Sequence, residues 1–382
     1  MPGSGTHING NYRVCTVWRV RLDLISSLLG FLVFLPFWIA PVHARVNGPC
    51  SNCHTMHYSQ DNTILSEWDE GGPHQALLRT DCGGCHTGTN ELGADTPFVM
   101  SAAPNYGENG TGMDTTTLAG GSFYWVTQPA NGAVGGDATG HNVAGLTLAD
   151  STLNTPPGFD GGRAAADGSV PGAGIWPSGQ QVTCAGIYGC HGTHAEAVQT
   201  NAIHGAHHGD LGGARISPGT APAAGYRFLV GIEGYEDSNW EFHPTAEAHN
   251  QYKGVNNPGG SNTSTISSLC ARCHGTYHSG TGNIGTASPW LRHPTDYDMG
   301  NTDTLSEYRN YGGTGNTYNP AVPLASETVT TVKRSVTFSN DTIVTCISCH
   351  RAHGSKYYKA MRWNYAGSAT GGLCGECHSS KD

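Results

Sequence analysis

Five times the chain places two cysteines two residues apart and follows the second at once with a histidine. The copies are Cys50, Cys53 and His54 in "CSNCH"; Cys82, Cys85 and His86 in "CGGCH"; Cys270, Cys273 and His274 in "CARCH"; Cys346, Cys349 and His350 in "CISCH"; and Cys374, Cys377 and His378 in "CGECH". Two thiols at this spacing can form thioethers to the two vinyl groups of one porphyrin while the adjacent imidazole ligates the iron from the same side, which is the attachment pattern of c-type haem. Zinc ribbons also use C-x-x-C pairs but do not require a histidine after each second cysteine. Disulfides suit an exported chain, yet they account for none of the five histidines.

A sixth pair is irregular. In "CAGIYGCHG" Cys190 is followed by His191, but five residues separate it from Cys184. As a haem site it would use the last two cysteines downstream of residue 44, two per haem with none left over; as a disulfide it would leave His191 a coincidence. A haem requires only that both sulfurs reach their vinyl carbons with His191 under the iron, and Gly186 and Gly189 give the intervening backbone freedom to loop out. The sequence favours haem and leaves the disulfide as its main rival.

Six six-coordinate irons need six further ligands. Apart from the six histidines above and two in the first 44 residues, twelve of the 20 histidines remain. His57 in "CHTMH" and His353 in "CHRAH" stand three residues after a motif histidine, on the same side of a short helical turn, and so cannot reach the far face of their own haem. Each is expected to ligate a neighbouring one, which implies close haem stacking. His194 in "CHGTH" has the same spacing, and His278 in "CHGTYH" is one residue further on. His141, His293, His249 and the adjacent His207 and His208 stand alone. The best distal candidates are His57, His141, His208, His278, His293 and His353, with His194, His207 and His249 in reserve. The rival reading for any one of them is a solvated surface histidine. Methionine is scarce and sits in no ligand motif, so bis-histidine iron is expected, low in potential and closed to substrates.

These sites require a scaffold, and the composition limits its kind. Of 382 residues only 37% are hydrophobic and 13% charged, while 55 are Gly, roughly twice ordinary usage. No long segment carries sustained helical or strand periodicity, so side chains alone would make a thin core. The fold class expected is mostly irregular coil with short helices at the attachment turns and a few short strands, organised around a stack of haems. "GSFYWVT", "YRFLVGI" and "ETVTTVKRSVTFS" are the expected strands or hairpins. The Gly-rich first gap, for example "TPPGFDGGRAAADGSVPGAG", reads alone as disorder but in a haem-packed protein as ordered coil. Sites one and two (gap 55–81) and sites five and six (gap 351–373) lie close in sequence, and longer segments separate the others.

Residues 1–44 read as a secretory signal: Arg13, Arg19 and Arg21 precede the apolar "LISSLLGFLVFLPFWIA", and "VHA" offers a small-residue cleavage site. An uncleaved membrane anchor is the alternative. Residues 45–382 are then expected as one six-haem domain. Removing the signal changes the formal charge from -10 to -12, because three Arg and one Asp leave with it. Such an acidic surface argues against nucleic acid as a partner.

"CSNCHTMH", "GHNVAG", "CHGTYH" with "LRHP", "CISCHRAHGS" and the terminal "LCGECHSSKD" occur in the order found in the polymerising outer-surface six-haem cytochromes of metal-reducing bacteria, which the chain resembles from about Val46 to Asp382. It differs in its C-x5-C-H site and in the segment from "NAIHGAHHGD" to "HNQYKG", which resembles a broader group of secreted multihaem cytochromes. The resemblance implies bis-histidine haems in a continuous stack, and His57 ligating the haem held by Cys346, Cys349 and His350 of an adjacent identical subunit. Its further implied partners are other cytochromes and extracellular acceptors such as metal oxides. The function expected is electron transfer at or beyond the outer cell surface, with no catalytic site. A monomeric periplasmic or cell-surface carrier and a multihaem reductase of nitrite or hydroxylamine type are the alternatives.

Overall fold

Regular structure is short and concentrates at the cysteine pairs. The computed structural model describes residues 49–54, 59–60, 63–64, 78, 81–94, 96–101, 116–127, 136–150, 152–163, 170–203, 228–260, 262–278, 294–364 and 372–379. The chain forms two units, Met1–His43 and Ala44–Asp382; the first lies outside the described residues.

Five helices are described: α1 (Cys82–Cys85), α2 (Tyr124–Thr127), α3 (Gln199–Ala202), α4 (Ile266–His274) and α5 (Cys346–Cys349). Three of them contain a C-x-x-C pair, and 3-10 turns at Cys50–Asn52 and Gly372–Glu376 meet the other two regular motifs. A helical turn puts residues i and i+3 on one face, so this local conformation presents both thiols together. The turns are fixed by their caps: Asp81 Oδ1 accepts from Gly84 N at 2.7 Å, and the Thr265 side chain accepts from Ser268 N at 3.2 Å. Thr345 and Ser348 form a reciprocal capping box around α5.

Strands of two or three residues make a five-stranded sheet in the order β3 (Gly234–Tyr235), β4 (Gln251–Lys253), β6 (Ala325–Ser326), β7 (Ile343–Val344), β5 (Tyr297–Asp298), with β1 (Ser59–Gln60) and β2 (Thr63–Ile64) paired elsewhere. β4 and β6 run parallel and the other pairs antiparallel. Ile232, Tyr252, Ile266, Leu269, Ala325, Ile343 and Ile347 form one apolar cluster, so this small sheet is sewn directly to α4 and α5. A second cluster gathers Tyr311, Tyr318, Val322, Leu324 and Trp363 against Cys374 and Cys377.

Between these elements the backbone is held by turn and loop hydrogen bonds and by side chains. Asp341 accepts from Thr337 N, Thr337 Oγ1 and Ser339 N, and Asn90 bridges Phe98 and Thr116. Such bonds satisfy polar groups that ladders would otherwise pair. This is the irregular architecture expected, but the strands lie elsewhere than predicted. In "GSFYWVT", residues 124–127 form α2, which Ser122 starts by accepting from Tyr124 N. The described part of "YRFLVGI" contributes only a bridge from Leu229 to Gly192, and "ETVTTVKRSVTFS" is coil apart from a bridge from Ser335 to Thr317. The coil in the last case follows from Asp341, which takes the Thr337 and Ser339 amides a strand would need. Among the described residues no helix is long and apolar enough to cross a membrane.

Candidate haem-binding site

Four of the five regular attachment turns close in one way, and the remaining one, Cys270 to His274, lies within α4. The amide of the motif histidine donates to the carbonyl of the first cysteine: His54 to Cys50 at 2.8 Å, His86 to Cys82 at 2.9 Å, His350 to Cys346 at 3.1 Å and His378 to Cys374 at 3.0 Å. This bond folds the histidine back beneath its cysteine pair.

The irregular site makes the same bond across a longer arch. His191 N donates to Cys184 O at 3.0 Å and Cys190 N to the same oxygen at 3.2 Å, as Cys53 N does to Cys50 O at 3.1 Å in the first site. The extra residues bulge outward as an inner turn, in which Gly189 N donates to Gly186 O at 3.0 Å. Both glycines are obligatory there. Gly186 has φ +90°, and a Cβ on Gly189 would lie 2.6 Å from the Ala185 backbone. No disulfide joins Cys184 to Cys190 in this structure.

These groups converge. One cavity of about 2300 Å³ is lined by all twelve cysteines and all six motif histidines. Pockets for single small ligands run to about 1000 Å³, so the space suits several large flat groups in succession. His141 and His353 line it too. The His191 and His353 ring centres are 6.2 Å apart and those of His274 and His141 6.0 Å. Two imidazoles that share one metal at about 2 Å each have ring centres roughly 6 Å apart, so both pairs are spaced to flank an iron.

The protonation states agree. Nδ1 of His86, His274, His350 and His141 donates to the carbonyls of Pro97 (2.7 Å), Pro157 (2.7 Å), Lys359 (2.8 Å) and Ala352 (2.6 Å). A carbonyl only accepts, so a proton sits on Nδ1 and Nε2 is the nitrogen left for a metal. Burial disfavours the imidazolium and lowers His191 and His274 to about 4 and His353 to about 3; it also lowers His350. Burial likewise pushes the Cys273, Cys349 and Cys377 thiols up to about 12. These residues therefore fit covalently attached haem: neutral imidazoles face paired thiols across an apolar space.

Three expected candidates lie off this cavity. His278 was expected as a distal ligand, but both its nitrogens are engaged: Nε2 meets Asp296 Oδ2 at 3.0 Å and Nδ1 meets the Arg163 guanidinium. A ring so occupied has no lone pair to offer an iron: Nδ1 accepts from the guanidinium and Nε2 donates to the carboxylate. His194 is buried within the third-site loop, with Nε2 3.4 Å from Cys190 O. His249 is buried, stacks on Tyr318 at 3.8 Å and bonds Thr245 O at 3.0 Å through Nδ1. His57, His207, His208 and His293 lie outside the described residues.

Three buried arginines that the sequence reading passed over, Arg272, Arg351 and Arg362, also line the cavity. Arg351 donates to Leu118 O and Ala119 O, and Arg362 to Ile347 O. They place fixed positive charge beside the attachment turns. Their signal was weak but present, since Arg272 and Arg351 sit inside or next to a C-x-x-C-H motif.

The doubled CXXCH motif family matches residues 340–382, which hold the fifth and sixth sites. Among solved structures the chain matches the outer membrane cytochrome S filament from Geobacter sulfurreducens at 20% identity, covering 89% of this chain and 100% of that one with a TM-score of 0.42. It also matches the OmcS nanowires of the same organism at 18% identity, covering 87% and 98% with a TM-score of 0.44. Across nearly its whole length the chain is similar to the C-type cytochrome OmcS of Geobacter sulfurreducens, at 24% identity over 399 residues, 91% of this chain and 85% of that protein.

Proposed function

We propose that the protein is a six-haem c-type cytochrome that carries electrons out of the cell as the subunit of a filament. The observation that carries this reading is the single cavity lined by all twelve cysteines and all six motif histidines. When bound, haem c supplies reversible one-electron chemistry between ferric and ferrous iron. The chain's part is to anchor, orient and insulate. The cysteine pairs fix each group covalently, the Nδ1 bonds to backbone carbonyls aim each imidazole, and the buried arginines bias the field in the cavity.

We assign His54, His86, His191, His274, His350 and His378 as proximal ligands. His353 is assigned opposite His191, and His141 opposite His274, on the ring spacings above. The first pairing crosses between sites, since His353 follows the fifth motif yet faces the third, and His141 reaches the fourth from the segment between the second and third motifs. A ligand on one attachment turn that serves another site's iron ties the sites into one rigid array. At these two sites an imidazole on each side leaves no position for a substrate, which supports a carrier over a reductase.

The assembly reading rests on the similarity to OmcS, which is known as filaments and nanowires, and on His57 in "CHTMH". Export follows from the signal-like residues 1–44, and the proposed location is the outer surface or beyond. Other cytochromes and metal oxides are the proposed exchange partners. Electron microscopy of the secreted protein tests this: filaments that His57→Ala abolishes are expected, while uniform single particles from the native chain would refute polymerisation. Intact mass should show a chain that lacks residues 1–44 and carries six haems.

A further inference from the structure

The third arch is three residues longer than the others, and something must hold its excess. Its polar groups have nearly complete local partners. Gln199 Oε1 accepts from Cys184 N at 3.0 Å and Ala185 N at 3.3 Å, Thr183 Oγ1 donates to Ala185 O at 2.9 Å, Thr183 N donates to Tyr188 O at 3.1 Å, and Ile187 N donates to Glu196 O at 2.9 Å. Two carbonyls of the bulge, those of Ile187 and Gly189, are met from elsewhere. Arg272 donates from Nη1 to Gly189 O at 2.6 Å and from Nη2 to Ile187 O at 2.9 Å, across more than eighty residues of sequence.

Arg272 is the third residue of "CARCH", the fourth attachment motif, and is only 1% exposed. Its backbone belongs to α4 between Cys270 and Cys273. One guanidinium thus joins the arches of two haem sites, and its planar fork spans two carbonyls that a lysine ammonium could meet only one at a time.

We propose that Arg272 is the positioning residue that makes the long third arch serviceable, holding its bulge so that the Cys184 carbonyl can close on His191 as in a regular site. The proposal rests on the reading of Cys184, Cys190 and His191 as a haem site. A regular arch, with no bulge, has no need of such a brace, and the fourth arch supplies it because the two sites are neighbours in the cavity.

The test uses the full-length secreted protein. A tryptic digest first reports haem on the peptide that carries Cys184 and Cys190; its absence in the native chain would refute the haem-site reading itself. With that haem present, Arg272→Gln is expected to turn one haem of the six from low spin to high spin in the ferric spectrum, leaving five unchanged, and Arg272→Lys to give a partial change. Deleting residues 185–187 makes the third site C-x-x-C-H, and in that background Arg272→Gln should leave all six low spin. An unchanged spectrum in Arg272→Gln overturns the proposal. So does a change spread over all six haems, or one that persists in the shortened arch, because each marks a general structural role.

Discussion

The third and fifth attachment sites reach one geometry by different means. In both, the motif histidine amide donates to the first cysteine carbonyl, at 3.0 and 3.1 Å. The fifth does so at the end of α5, where the Thr345–Ser348 capping box gives local support and Ser348 Oγ also donates to Pro323 O at 2.6 Å. The third has no helix at all. Its closure depends on Gly186 and Gly189 within the arch and on Gln199 and Arg272 outside it. An attachment site is therefore defined by where its carbonyl and histidine meet, and the residue count between the cysteines follows from how that meeting is supported.

If the sites are equivalent, removing either histidine should have the same large effect. His191→Ala and His350→Ala are each expected to leave one haem of the six without its proximal ligand, read as matching high-spin features in the ferric spectrum. A silent His191→Ala would break the comparison outright. Stability should then separate the two. Gly189→Ala drives a Cβ to 2.6 Å from the Ala185 backbone, and overpacking of this kind costs about 3 kcal/mol. The fifth arch contains no glycine, and its weak point is Ser348. Ser348→Ala leaves the buried Thr345 N–H and the Pro323 carbonyl unpaired, at about 2 kcal/mol. Thermal midpoints followed by circular dichroism rank the pair.

What the sequence disclosed divides along the same line. The five regular sites were legible because spacing, cap and turn are all local: Asp81 precedes Cys82, and Thr345 precedes Cys346. The irregular third site could be read from cysteine parity and two glycines, though its closure could not be drawn. Contacts between distant segments stayed hidden. His278 looked like a ligand because its partners Arg163 and Asp296 lie 115 residues before and 18 after it. Arg272 was passed over because its partners, the Ile187 and Gly189 carbonyls, lie more than eighty residues before it. The expected strand over 327–339 failed because Asp341 claims its amides, and side-chain competition of that sort carries no periodicity to detect.

The smallest expected effect sharpens the contrast most finely. Gln199 lies at the start of α3, and its Oε1 is the acceptor for both Cys184 N at 3.0 Å and Ala185 N at 3.3 Å. Gln199→Ala removes that acceptor while Arg272 and both glycines still hold the bulge, and one of the two bonds is already long, so the cost should be near 1 kcal/mol. Gln199→Glu keeps the acceptor and adds charge, which strengthens bonds from backbone amides. It should restore the midpoint. If the glutamate variant were as weak as the alanine, the side chain would be acting through packing and not through its oxygen. The third arch would then rest on Arg272 and its glycines alone.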